Sequence, residues 1–287
     1  MKKIMISTVV ASVILGGCSQ LDPYLDKIPF LSNADHNGSE TTNENDNGKN
    51  DEEVNNEESA ETSTNPAEKD SNNPVLEAAF FNDIEVVDDM NVIQNPKNVM
   101  ALVNKQFSLP SDYIPNDLVR PNVAFSFGDE DIEKSYLRKE AADALKEMFE
   151  GAKAASIDLF AVSGYRSYDR QETVFNAEVT RVGEEKAVQV VAIPGSSEHQ
   201  TGLSMDISSS SVNYGLTEEF EKVPEGKWLA ENAHKYGFVL RYPKGKESIT
   251  GYQFEPWHFR FVGKEAATVM FDKDWTLEEY FDIVEKI

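Results

Sequence analysis

The reading of this chain turns on P-G-S-S-E-H-Q-T-G-L-S-M-D, Pro194–Asp206. It places His199 and Asp206 seven residues apart, in a chain with only four histidines. Seven residues would align on one face of a helix, but L-S-M-D-I-S has the look of an extended segment. In a strand, positions of opposite parity face opposite sides. His199 is therefore expected in the turn before the strand, with Gly202 permitting the bend. A second dense polar stretch, F-E-P-W-H-F (Phe254–Phe259), supplies Glu255 and His258, with Pro256 breaking the regularity between them. Together the two stretches hold two imidazoles, one carboxylate able to bind a metal and one spare carboxylate. A catalytic zinc takes three nitrogen or oxygen ligands and keeps one position open. Hydrolysis also needs a carboxylate near the water to take its proton. Spacing alone equally admits a pair of satisfied core histidines, with Glu255 in an ordinary hydrogen bond.

Outward from these stretches the pattern mixes helices and strands without regular βαβ alternation, which predicts an α+β domain. Leu137, Ala141, Leu145, Met148, Phe149 and Ala152 follow a helical period and predict a helix over 136–154. Ile157 to Val162 reads as a strand. A helix should begin near Ser167–Asp169 and stop at Gly183. Trp228 to Tyr236 reads as a helix ended by Gly237. Phe238–Tyr242 and His258–Val262 read as short strands. Thr276 with Glu279 makes a capping-box start for a last helix over 277–286.

The chain has 287 residues and a formal charge of −24, which makes a phosphate backbone an unfavourable partner, so no nucleic acid is expected. Lys2 and Lys3 precede an uncharged apolar stretch, Ile4 to Leu15, too short to span a bilayer core needing about 20 residues. Leu15-Gly-Gly-Cys18 then resembles a bacterial lipobox, so residues 1–17 are read as a lipoprotein signal peptide and Cys18 as the lipidated residue. The alternative is an ordinary signal peptide with an incidental cysteine. Residues 18–73 are read as a lipid-anchored, disordered acidic tether. From Ser32 to Asn73 there is no aromatic residue, and twelve acidic residues stand against Lys49 and Lys69. Its coil dimension is about 35 Å. The implied location is extracytoplasmic, lipid-anchored to the bacterial cell membrane, with the lipid as the only membrane contact. A monomer is expected. The folded domain is expected over 74–287.

The motifs resemble those of the VanY-type zinc D-alanyl carboxypeptidases. Ser197-x-His199-x-x-Gly202-x-Ser204-x-Asp206 matches that family's S-x-H-x-x-G-x-[AS]-x-D. Glu255-Pro-Trp-His258 matches its E-x-W-H, and Ser163-Gly-Tyr-Arg166-Ser167 its S-G-Y-R-[ST], with Gln171 also in place. Leu102 to Leu118 looks like its entry motif. The resemblance covers about residues 95–270. It implies the hedgehog/D,D-peptidase α+β fold, an antiparallel sheet flanked by helices. It implies Zn²⁺ held by His199, Asp206 and His258, with Glu255 as general base and Arg166 stabilising the oxyanion. Ser163, Tyr165, Gln171 and Ser197 are candidates for binding the peptide or its terminal carboxylate, or for holding the loop in shape. His234 reads as a core-edge histidine, Trp257 as packing beside the metal, and Asp169 with Arg170 as a helix cap and solvated first turn.

The implied activity is removal of the C-terminal D-alanine from peptidoglycan stem peptides, as a D,D- or an L,D-carboxypeptidase. An L-alanyl-D-glutamate-type endopeptidase of the same fold is a further reading, and a non-catalytic peptidoglycan-binding lipoprotein a rival of another class. Glu255 discriminates, because a binding module has no need of a carboxylate three residues before a ligand histidine.

Overall fold

The computed structural model describes residues 73–287. The leader, Cys18 and the acidic tether as far as residue 72 lie outside the described residues. In chain order the first elements are β1 (Val75–Leu76), β2 (Ile84–Val87), β3 (Met90–Ile93), β4 (Phe107–Ser108), β5 (Leu118–Val119), β6 (Leu137–Arg138), α1 (Lys139–Ala154), β7 (Phe160–Ser163), α2 (Tyr168–Val182) and α3 (Glu184–Val190). There follow β8 (Ser204–Ser208), α4 (Pro224–Asn232), β9 (Phe238–Leu240), α5 (Glu247–Thr250), β10 (His258–Phe261), α6 (Lys264–Lys273), α7 (Leu277–Ile283) and β11 (Glu285–Lys286).

The organising element is a four-stranded antiparallel sheet in the order β7-β8-β10-β9. Side chains alternate faces along each strand. In β8, Met205 and Ile207 take one face while Ser204, Asp206 and Ser208 take the other. In β10, Phe259 and Phe261 share the first face, and His258 and Arg260 the second. The apolar face packs against α1, whose Ala141, Leu145, Met148 and Ala152 are fully buried in the same cluster. The polar face is also buried, and it carries the chemistry. The register sets His258 opposite Asp206, and Asp206 opposite Ser163 across a bulge between Ala161 and Ser163. Directly opposed residues of neighbouring strands point to the same side. Three polar side chains therefore line up across three strands.

Several boundaries move for identifiable reasons. The helix expected over 136–154 begins at Lys139, because Leu137 and Arg138 pair with Val119 and Leu118 as a short ribbon. The strand expected from Ile157 begins at Phe160; Ser156 turns with φ 62 and the Ile157 N–H donates back to Ala152. The helix expected over Trp228–Tyr236 starts earlier, at Pro224, a residue pre-organised for the first helical position. It continues as a 3₁₀ turn to Tyr236 and stops at Gly237 as expected. The last helix ends at Ile283, because the following residues straighten to pair with β1. The capping box at Thr276 and Glu279 is formed, and α2 starts and stops where expected. Its cap is Ser167, not Asp169: the Ser167 hydroxyl accepts from the Arg170 N–H, and Asp169 lies in the first turn. Helices α3 and α6 carry no signal singled out in the sequence.

Candidate active site

His199 sits on a 3₁₀ turn, Glu198–Thr201, directly before β8, and Gly202 makes the bend with φ 68. A Cβ on Gly202 would meet Leu118 at 2.9 Å and Arg138 at 3.1 Å, so both conformation and space call for glycine. The His199 Nδ1 lies 2.7 Å from the Gly164 carbonyl oxygen. A carbonyl only accepts, so Nδ1 carries the proton and the Nε2 lone pair is left free. Gly164 is itself constrained, because a Cβ there would sit 2.5 Å from the Tyr136 carbonyl.

Nε2 of His199 faces Asp206 Oδ2 at 3.4 Å, and Nδ1 of His258 faces Asp206 Oδ1 at 3.1 Å. The two imidazole rings stand 4.9 Å apart, nearly perpendicular. One ligand atom from each of His199, Asp206 and His258 falls within 4.8 Å of the others. Asp206 Oδ1 nevertheless has no hydrogen-bond partner, although it is buried. The three groups converge on a point rather than satisfying one another, which is the arrangement a cation completes. Two imidazole nitrogens and one carboxylate oxygen suit zinc. In the metal-free site burial is outweighed by the Asp206 and Glu198 carboxylates, which push His258 up to about 9, so a cation bound there would displace a proton.

Glu255 lies in the turn before β10, with its carboxylate 3.7 Å from His258 Nδ1. Its backbone N–H donates to Tyr242, and its carbonyl accepts from the His258 N–H, so the turn at Pro256 presents both side chains to one space. Burial, reinforced by the Asp206 charge and opposed by His258, pushes the Glu255 carboxyl up to about 7. His199 is held below its ordinary value by burial. The opposite holds for Asp206, where His199 and His258 outweigh burial and keep it well below the carboxylate range.

These groups open onto a cavity of about 430 Å³. Its walls come from the β7 end and α2, from residues 190–192 at the end of α3, and from Tyr242, Tyr252 and Trp257. Arg166 reaches it from the loop between β7 and α2. Neutral partners hold its guanidinium: it donates to Gln171 Oε1 at 2.9 Å and to Ser163 Oγ at 3.2 Å. Gln171 in turn donates to the Ala192 carbonyl at 2.6 Å. Ser163 and Gln171 thus support Arg166. Tyr165 and Ser197 are buried in the cavity wall, and the Tyr165 hydroxyl has no partner.

The family model described as VanY, D-alanyl-D-alanine carboxypeptidase, matches residues 134–264, the span that holds every one of these groups. YodJ of Bacillus subtilis (strain 168), provisionally named a carboxypeptidase, is 60% identical over 212 residues, which span 74% of this chain and 77% of that relative. The chain belongs to the VanY family. Two solved structures of VanY type agree. The LdcB LD-carboxypeptidase superposes with a TM-score of 0.72 at 60% identity, covering 74% of this chain and 99% of that one. A zinc-bound variant of the vancomycin-resistance D,D-pentapeptidase VanY gives 0.53 at 30% identity, covering 64% and 98%. The VanY fold is the α+β arrangement described above, and the chain is a carboxypeptidase of that type.

Some features of this VanY site carry no mark in the sequence. Arg170, expected in a solvated turn, lines the cavity, as do Tyr242 and Tyr252. Glu198, immediately before His199, is fully buried among Arg241, Arg260 and His258. His234 stands apart as expected, stacked on Phe271 at 3.7 Å.

Proposed function

We propose that this protein removes the terminal D-alanine from peptidoglycan stem peptides, with the tetrapeptide as its substrate and an L-to-D bond as the one it cuts. The convergence of His199, Asp206 and His258 beside the uncoordinated Glu255 carries the hydrolytic reading. The preference for L,D over D,D specificity rests on 60% identity to an LD-carboxypeptidase against 30% to a D,D-pentapeptidase.

His199 Nε2, one Asp206 oxygen and His258 Nδ1 would hold the zinc. When bound, that ion polarises the scissile carbonyl and makes water far more acidic, with a pKa of about 7. Glu255 takes a proton from the attacking water and delivers it to the leaving amine as the C–N bond breaks. Arg166, aimed by Ser163 and Gln171, meets the negative charge that develops on the carbonyl oxygen. Tyr165 and Ser197 line the cavity and bind the peptide.

The leader, Cys18 and the acidic tether suit an enzyme fixed by lipid to the outer side of the cell membrane and reaching into the wall. The support for that location is the lipobox-like sequence and the tether composition.

The test is mass spectrometry of muropeptides after incubation with the purified domain, with chelator and after zinc is restored. Loss of one alanine from tetrapeptide only, abolished by chelation, is the expected result. Loss from pentapeptide only would replace the L,D with the D,D reading. No mass change on either would leave a binding module.

A further inference from the structure

Behind the metal ligands, on the same polar face of the sheet, lies a second charged cluster. Glu198, Arg241 and Arg260 have no exposed side-chain area. The cluster is asymmetric. Both guanidiniums bond one oxygen of Glu198: Arg241 Nε donates to Oε1 at 2.8 Å, and Arg260 Nη1 to the same atom at 2.7 Å. The second oxygen, Oε2, is left for Ser204 Oγ at 3.3 Å and for His258 Nε2 across 3.5 Å. Carboxylates paired with arginine frequently present both oxygens to the guanidinium fork. Here the arginines occupy one oxygen, and the other turns toward the imidazole.

The arginines are anchored from the far side. Arg241 makes a two-pronged contact with Glu278 of α7, at 2.6 and 2.8 Å. Arg260 donates to the carbonyls of Val99, Ala101 and Phe261. Glu198 is therefore held by groups that are themselves fixed. His258 Nε2 is buried and closes no short hydrogen bond, so the Glu198 carboxylate is the acceptor that the fold sets before it.

We propose that Glu198 is a positioning residue for the metal centre: it holds the proton of His258 on Nε2, so that the Nδ1 lone pair is presented beside Asp206. The same residue that precedes one ligand, His199, in the chain thus orients the other, His258, in space. A carboxylate accepting from the remote nitrogen of a metal-binding imidazole fixes its tautomer and ring angle and raises its basicity. The role rests on the proposed function, in which His258 is a ligand.

The experiment measures zinc affinity by competition with a chromophoric chelator for wild type, Glu198→Gln and Glu198→Asp, beside thermal unfolding of each metal-free protein. We expect Glu198→Gln to bind zinc about 10–100-fold more weakly, with Glu198→Asp recovering part of the loss. Lower metal-free stability with zinc affinity unchanged would overturn the proposal and leave Glu198 as a brace alone. Should Glu198→Gln fail to fold, ¹⁵N-histidine NMR of zinc-loaded wild type decides. A slowly exchanging, downfield Nε2 proton on His258 is expected; a rapidly exchanging one would refute the role. Failure of wild type to bind zinc at all would instead strike at the ligand set itself.

Discussion

Two charged clusters occupy one buried face, built on the neighbouring residues Glu198 and His199, and they differ in how their polar atoms are satisfied. Around Glu198 and the two arginines, the guanidiniums find carboxylate or carbonyl acceptors. Beside His199 the pairing is incomplete: Asp206 Oδ1 is buried without a hydrogen-bond partner, 3.1 Å from His258 Nδ1. Burial and charge are common to both, so neither property identifies the active site. What does is incomplete pairing beside an opening. A buried unpaired polar group is costly, and a fold that keeps one between two imidazoles at a cavity needs something to complete it.

Each cluster can be perturbed on its own. The largest effect should follow Glu255→Gln, which removes the base and spares the ligands. We expect kcat to fall about 10²–10⁴-fold while the variant still binds one zinc per chain in chelator titration. Loss of zinc along with activity would mean that Glu255 belongs to the ligand set. On the proposed mechanism the same group should set the acid limb of the wild-type pH profile. Glu255 accepts a proton only when ionised, so kcat/KM should rise as pH increases through its pKa. Without metal that value is about 7, and a bound cation draws it down toward the ordinary 4.5. A limb centred above 7 would assign it to another group.

On the closed side, Arg260→Met leaves a buried carboxylate half paired. Urea unfolding of the metal-free protein should show about 3–5 kcal/mol less stability. A change within error would mean that the pairing is not what holds this face. Next comes Arg166→Ala, expected to cost about 2.7–4 kcal/mol of transition-state stabilisation, read from kcat/KM at saturating zinc. Turnover unchanged there and in Arg166→Lys would remove Arg166 from the chemistry. The smallest effect belongs to Thr276→Ala, remote from both clusters. It should lower stability by about 1 kcal/mol through the lost cap and leave kcat alone.

How much of this is legible in the sequence follows from the range of each signal. His199, Asp206, His258, Glu255 and Arg166, which the fold gathers at one cavity, lie in short motifs of metal-binding, acid–base and cationic residue types, and the bend at Gly202 follows from strand parity. The capping box is equally local. Arg241 and Arg260 meet Glu198 across 43 and 62 residues. No period or neighbour marks such a pairing, so the second cluster becomes visible only once the strands are placed. Arg170 departs from its expected solvated place for a similar reason. A position in the first turn of α2 is compatible with solvent, and what brings it to the cavity is the packing of α3 and the 190–192 segment beside it. The ribbon at Leu137–Arg138 overrides a helical period because its pairing partner, Leu118–Val119, lies some twenty residues earlier.

Outside both clusters, Val75–Leu76 and Glu285–Lys286 run side by side in parallel, with Ile287 bonded to both Leu76 and Ala78. The first and last strands among the described residues are stitched together, so residues 74–287 are nearly a closed ring of chain. Bridging Ile287 to Pro74 spans only a few residues of strand rise, roughly 3.3 Å each. Circular permutants with new ends cut in a surface loop would keep every contact described above, giving a way to present this enzyme from a different point on its surface.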